Sequence, residues 1–185
     1  MNLYLFNLIH QFAGLYWPLD WMGIFFAKYL GYAILVSVAV FGFKNKSTKQ
    51  KLSFFTFLLL ALVISGVILA TFRYVYASPR PFLALNFEPL IAHENSGSFP
   101  SGHVIFYFTL AFAVYLFNKK VGYWLFGAAF FVALGRIFVG VHWPLDIAGG
   151  VASAFFSAYL SLKLLNQPKA KEIPLGEGVG RGNAV

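Results

Sequence analysis

Five stretches of this chain are apolar over nearly the thickness of a lipid bilayer: roughly residues 22–43, 54–74, 104–117, 121–139 and 147–165. A helical crossing needs about 20 mostly apolar residues. Inside hydrocarbon a segment must also satisfy its own backbone N–H and C=O groups, which a helix does unaided. The chain is therefore predicted to be all-α, a polytopic transmembrane bundle with five firm spans. The stretch 104–117 is short, and extends back through His103. Composition agrees: 11% of the residues are charged, against about 25% in a typical soluble domain.

The stretch Asn2–Trp17 leaves two readings open. Asn7, His10, Gln11 and Gly14 recur at helical spacing as a polar stripe, with Leu5, Leu8, Ile9, Phe12 and Leu15 over much of the rest. Such a helix lies in the outer interface, or it is a short sixth span whose stripe faces the bundle. Trp17, Trp21, Trp124 and Trp143 stand near proposed span ends, where aromatic belts sit. The N-terminus has neither a basic start nor a small-residue cleavage site, so no cleaved signal peptide is expected. Residues 1–166 are expected to form one membrane domain, and the polar, glycine-rich residues 167–185 a flexible cytoplasmic tail.

The net charge of +8 does not point to nucleic acid, because of where the charge sits. Lys44, Lys46, Lys49 and Lys51 fill one short loop, Lys119 and Lys120 another, and Lys163, Lys169 and Lys171 follow the last span. Alternating spans put all three clusters on one side, and the positive-inside rule makes that side cytoplasmic. Residues 75–102 and 140–145 then lie outside. No nucleic-acid partner is expected; membrane lipids surround the chain. The chain has no cysteine, which removes disulfides, thiolate metal sites and a cysteine nucleophile.

Three clusters are out of place in a lipid-embedded chain, and all fall on the side opposite the lysines. Arg73 and Arg80-Pro81 bracket the start of the long outer loop. Pro100-Ser101-Gly102-His103 stands where that loop enters a helix. Arg136, His142 and Asp146 span the last outer turn. Guanidinium groups are permanently charged and fork toward phosphate oxygens, and an anion relieves their mutual repulsion. Ser101 suits a helix N-cap, and Gly102 admits close approach of a ligand to the backbone. A helix N-terminus offers free N–H groups to an anion, with His103 in its first turn. Pro144 suits the start of the following helix. Four residues separate His142 from Asp146, which puts them on adjacent turns of one face of that helix, so the carboxylate can accept a proton from one imidazole nitrogen and leave the other free to attack.

Taken singly, each cluster has a plainer reading: interfacial anchors for Arg73 and Arg136, ordinary loop for Arg80-Pro81, a simple cap for Pro-Ser-Gly-His, a structural hydrogen bond for His142 and Asp146. The joint occurrence on one face favours a phosphate site. Lys28, inside a span, either snorkels to the outer interface or touches substrate phosphate. His93, Glu88 and Glu94 read most simply as solvated loop, with the entrance to a site as the alternative. His10 reads as packing.

These residues resemble the type 2 phosphatidic acid phosphatase (PAP2) superfamily. Its pattern is a basic residue, six residues, Arg-Pro; then Pro-Ser-Gly-His; then Ser-Arg, five residues, His, three residues, Asp. Here the first motif runs from Arg73 to Arg80-Pro81, the second matches fully, and the third runs from Gly135-Arg136 to His142 and Asp146. Arginine replaces the usual lysine at 73 and glycine the usual serine at 135, with all spacings kept over about residues 20–165. The resemblance implies His142 as the nucleophile that forms a phosphohistidine, Asp146 as its partner and His103 as general acid. It implies Arg73, Arg80 and Arg136 as a phosphate clamp, with N–H donors from Ser101 and Gly102, and catalysis with no metal or other cofactor.

Within the superfamily the chain is similar to small bacterial undecaprenyl-diphosphate phosphatases of the bacitracin-resistance type. The short chain, Phe6-Asn-Leu-Ile-His10, Arg80-Pro81-Phe82 and His93 ahead of Ser98-Phe99-Pro100-Ser101 carry that likeness. The subgroup usually has aspartate where Gly102 stands. The implied substrate is undecaprenyl diphosphate in a bacterial plasma membrane, with the site on the outer face. The alternatives are phosphatidylglycerol phosphate, phosphatidic acid or lipid A phosphate, a lipid phosphotransferase, or a non-catalytic binder of anionic lipid.

Overall fold

The computed structural model describes residues 2–44 and 47–165. Lys46, Lys169, Lys171 and the tail 167–185 lie outside the described residues. The chain forms α1 (Asn2–His10), α2 (Trp17–Ile24), a π-helical turn (Phe25–Tyr29), α3 (Leu30–Phe43), α4 (Thr48–Val75), α5 (Pro81–Ala84), α6 (Gly102–Phe117), α7 (Lys119–Phe138) and α8 (Pro144–Leu164). The architecture is all-helical among the described residues, as expected.

Four helical runs are long and apolar enough to cross a membrane: Trp17–Phe43, Thr48–Val75, Lys119–Phe138 and Pro144–Leu164. The first begins earlier than residue 22 and is not a uniform α-helix, because the π-helical turn interrupts it. At 16 residues, α6 is roughly 24 Å long, short of the ~30 Å hydrocarbon thickness. It packs against α3, α4, α7 and α8 and has no exposed residue beyond His103, so protein covers most of it and its length need not match the bilayer.

The lipid signature is clearest in α4. Leu59, Val63 and Val67 are exposed at helical spacing on one face, while Phe57, Ala61 and Ser65 are buried on the other. An exterior as apolar as the interior is the composition that hydrocarbon solvates and water does not. In α8 the contrast is sharper. Gly150, Ser153, Ala154, Ser157, Ala158 and Ser161 face the bundle, and Phe155, Phe156 and Tyr159 face outward. Small residues let helix backbones approach closely where no hydrophobic force drives helices together in lipid. The serine hydroxyls bond back to the carbonyls one turn earlier: Ser153 to Gly149, Ser157 to Ser153, and Ser161 to Ser157.

Loop chemistry sets the turns at the lysine end. Ser47 and Gln50 form a reciprocal capping box at the start of α4. The Asn118 side chain accepts the N–H of Val121 at 3.0 Å and caps α7. Lys44, Lys49, Lys51, Lys119, Lys120 and Lys163 follow helix polarity to this end. The end of α4, the start of α6, the end of α7 and the start of α8 meet at the other.

Of the two readings for the N-terminus, the sixth span is excluded. The nine residues of α1 reach roughly 13 Å, and the chain turns after His10. The stripe Asn7-His10-Gln11-Gly14 is not a packing face, since Asn7, Gln11 and Gly14 are exposed. Asn2, Phe6 and His10 make the contact. The Asn2 side-chain Oδ1 accepts the backbone N–H of Leu145 at 3.0 Å, Phe6 is buried against Trp143, and His10 Nδ1 bonds to the Phe138 carbonyl at 2.8 Å. These contacts seat α1 on the α7–α8 turn. That turn needs Gly140, whose φ of +85° places it in the left-handed region. A Cβ there would stand 2.6 Å from the Phe87 ring. The Trp143 indole N–H donates to the Pro79 carbonyl at 2.9 Å, which ties the start of α8 to the long outer loop.

Candidate active site

The last outer turn supplies the centre. His142 precedes α8 and is 1% exposed. The sequence suggested that His142 and Asp146 share a helical face. Instead Asp146 sits in the first turn of α8 and reaches back. Its Oδ2 accepts the Trp143 backbone N–H at 2.8 Å and faces His142 Nδ1 at 3.3 Å. The same oxygen takes a hydrogen bond from the Ser98 hydroxyl. Asp146 therefore closes its own helix N-terminus and orients the imidazole together.

Arg80 is fully buried and lies on the other side of the ring. Its Nη1 donates to His142 Nε2 at 3.2 Å and to the Val141 carbonyl at 2.9 Å. Nε donates to the Ser96 carbonyl, and Nη2 to the Ser96 hydroxyl and the Gly97 carbonyl. Protein groups thus occupy the whole guanidinium fork. Burial, and then the neighbouring Arg73, lowers its pKa to about 10, which leaves it charged at neutral pH. Burial is also the main reason that His142 is pushed down to about 4; Arg136 and Arg80 add to that, and the Asp146 hydrogen bond opposes it.

Arg136 differs from Arg80. It is 2% exposed, yet its Nε and Nη2 have no hydrogen-bond partner. A buried guanidinium with idle donors is costly. Arg136 and His103 line a cavity of about 550 Å³ with Lys28, Ile24, Leu90 and His93. His103 projects into it from the first turn of α6. Arg73, in the last turn of α4, is exposed, and its Nη2 lies 3.4 Å from where a Cβ on Gly102 would stand. Every residue singled out from the motifs thus gathers at this end of the bundle.

Ser101 departs from expectation in two ways. It is the N-cap residue of α6, but its hydroxyl caps nothing and has no partner. Its backbone N–H is taken by the Asp146 carbonyl at 3.1 Å, so it is not available to a ligand. The hydroxyl is the donor Ser101 has free.

Two residues were missed or undervalued. Ser98 is fully buried and supports Asp146; its place three residues before Ser101 was the available signal. His93 is not solvated loop, because it lines the cavity with its ring centroid 6.1 Å from that of His142. Burial, with Arg80 and Arg136, lowers its pKa to about 4. Glu94 also lines the cavity, whereas Glu88 is exposed elsewhere on the loop.

Fold and cavity together define a multi-pass membrane protein with a buried histidine–guanidinium centre. The chain belongs to the PAP2 superfamily, whose family model matches residues 54–169, and it is a membrane lipid phosphatase. It is 32% identical to the undecaprenyl-diphosphatase BcrC of Bacillus subtilis, covering 86% of this chain and 82% of that one. It is also 32% identical to a Bacillus licheniformis protein named bacitracin transport permease protein BcrC, covering 89% and 82%. The solved structure of LpxE from Aquifex aeolicus superposes with a TM-score of 0.70 at 30% identity, covering 88% of this chain and 94% of that one.

Proposed function

We propose that the chain hydrolyses undecaprenyl diphosphate to undecaprenyl phosphate and inorganic phosphate, at the outer face of a bacterial plasma membrane, through a phosphohistidine on His142. The observation that carries the reading is Arg136: a buried cation with unpartnered donors on the wall it shares with His103. An anion that brings its own acceptors satisfies it.

In the proposed reaction, His142 Nε2 attacks the terminal phosphorus. Asp146 keeps the proton on Nδ1, so the Nε2 lone pair is the reactive one. That lone pair now accepts from Arg80; an entering phosphoryl group displaces the contact, and Arg80 donates to a phosphate oxygen instead. The bond to the bridging oxygen breaks, and His103 gives its proton to the departing lipid phosphate. Water then attacks the phosphohistidine, the P–N bond breaks, and the water proton returns to His103. Arg136, Arg73, the Ser101 hydroxyl and the first-turn N–H groups of α6 stabilise charge on the transferring group.

The outer-face placement is supported by the lysines, which gather at the end away from the site. The relatives named for undecaprenyl diphosphate favour that lipid over monophosphate lipids. The test is phosphate release by purified protein across matched concentrations of undecaprenyl diphosphate, phosphatidylglycerol phosphate, phosphatidic acid and lipid A. The expected result is the highest kcat/KM on the diphosphate, with orthophosphate rather than pyrophosphate released. A monophosphate lipid that is preferred would overturn the substrate, and transfer of label to a second lipid would replace hydrolysis with phosphotransfer.

A further inference from the structure

Lys28 sits in a membrane-spanning helical run, eleven residues after Trp17, or roughly 16 Å along the helix. An ionisable side chain at such depth faces a cavity or a partner. Among the described residues no carboxylate lies within ion-pair distance of it. Its Nζ stands 5.6 Å from the centroid of the neighbouring Tyr29 ring, a contact that leaves the ammonium donors free. The side chain lines the same cavity as Arg136 and His103, with Ile24 and Leu90 on its apolar wall and His93 and Glu94 at its loop side.

The backbone holds Lys28 there by an unusual device. The π-helical turn Phe25–Tyr29 contains it, and such turns cost regular hydrogen bonding and recur at functional sites. This turn is pressed on α7 at Gly135. A Cβ at Gly135 would stand 2.7 Å from the Ala27 backbone nitrogen and 3.0 Å from the Phe26 carbonyl carbon. Glycine at 135 thus lets the turn lie against the helix that carries Arg136, and the residue after Ala27 is Lys28. The loss of serine at this motif position has a structural counterpart in the opposing helix.

We infer that Lys28 binds the phosphate that stays with the lipid and so sets a preference for diphosphate over monophosphate esters. The inference rests on the proposed reaction at His142. The arginines and the α6 N-terminus answer the terminal phosphate. The second phosphate carries its own charge and leaves on the side of His103. Arg136 and Lys28 are the Lys or Arg side chains lining the cavity, and Arg136 is committed to the transferring group. Ile24, one helical turn before Lys28, continues the wall with the apolar surface that the first units of a lipid chain need. A lysine suits this place: it makes a point-charge contact without the fork that would compete for the terminal group.

The experiment compares full-length wild type with Lys28→Met and Lys28→Arg on farnesyl diphosphate and farnesyl monophosphate, two substrates with the same tail. Methionine removes a charge from a lipid-facing helix and retains its length, so folding is not put at risk. In Lys28→Met the ratio of kcat/KM for diphosphate over monophosphate is expected to fall about ten-fold or more, the scale of one lost charge-assisted hydrogen bond; arginine should restore most of it. Equal losses on both esters, or no loss on either, would overturn the assignment. Inorganic pyrophosphate supplies an independent reading as an inhibitor of monoester hydrolysis. Its inhibition constant should rise about ten-fold in Lys28→Met while that of vanadate changes little. A wild type that cleaves no diphosphate lipid would sink the proposed substrate, yet pyrophosphate competition would still report on Lys28. Unaltered competition there would sink the present inference.

Discussion

Arg80 donates to His142 Nε2 at 3.2 Å, on the ring nitrogen opposite the one that faces Asp146 at 3.3 Å. A guanidinium only donates and a carboxylate only accepts. The pair therefore selects one tautomer, with the proton on Nδ1 and the lone pair on Nε2. The same Arg80 ties the 96–97 loop to the 141–142 turn, so the ring is held between two elements far apart in sequence.

Asp146→Asn tests that selection. The amide has the shape of the carboxylate but can donate toward Nδ1, which favours the wrong tautomer. A loss in kcat on the order of 10³–10⁴ is expected, the scale seen when a histidine-orienting aspartate is amidated, with KM little changed. Ser98→Ala, which removes one donor to the carboxylate, should cost about ten-fold. Steady-state kinetics on the two variants checks both; a wild-type rate in Asp146→Asn would remove the orienting role.

Arg136→Met separates function from stability. The side chain is buried with idle donors, and an apolar group of similar length removes the cost of burying a charge whose donors are unmet. The variant should unfold at an equal or higher temperature than wild type and lose at least about 10²-fold in kcat/KM. Vanadate should raise the unfolding midpoint of wild type, through binding to the native state, and not that of the variant. A clear drop in the variant's midpoint without ligand would mean that Arg136 is a structural strut.

The state of His142 gives a pH test. Its folded pKa of about 4 lies below the ordinary value of 6.5. Between these values the unfolded chain binds the proton and the folded chain does not, so this group makes stability fall as pH drops from 6.5 toward 4. Imidazole nitrogen NMR, with the His142 signals assigned by their absence in His142→Ala, should show a neutral ring at pH 5.5. A ring already protonated at that pH would contradict the burial and the Arg80 contact.

Topology is tested by labelling. The chain has no cysteine, so a single Asn95→Cys on the exposed loop reports cleanly. A membrane-impermeant maleimide should reach it in intact cells, whereas a Lys119→Cys substitution at the lysine end should react after lysis. The reverse pattern would invert the proposed orientation.

Most of the spans and most of the site were legible in the sequence, for different reasons. Apolar runs announce crossings because lipid tolerates little else, and Arg80, Arg136, His103, His142 and Asp146 stood out because charge is rare there. Apolar length says nothing about helix faces, however, when both faces are apolar. In α1 the docking face is Asn2-Phe6-His10, while Asn7, Gln11 and Gly14 of the polar stripe stay exposed, as the interfacial reading of this helix requires. The π-helical turn was invisible because it depends on Gly135, more than 100 residues away. Ser98 and His93 were hidden in a polar loop, where only the folded contacts distinguish a working side chain from a solvated one. The short stretch 104–117 is marginal as a span by length, and it is the helix that packs against four others.

The most direct measurement is rapid-quench trapping of the enzyme during turnover of a diphosphate lipid labelled with ³²P in the terminal phosphate, followed by peptide mapping. Label that is acid-labile, base-stable and located on His142, with none in His142→Ala, is the expected result. Sustained turnover with no labelled protein, or label on another residue, would contradict the assignment of His142 as nucleophile.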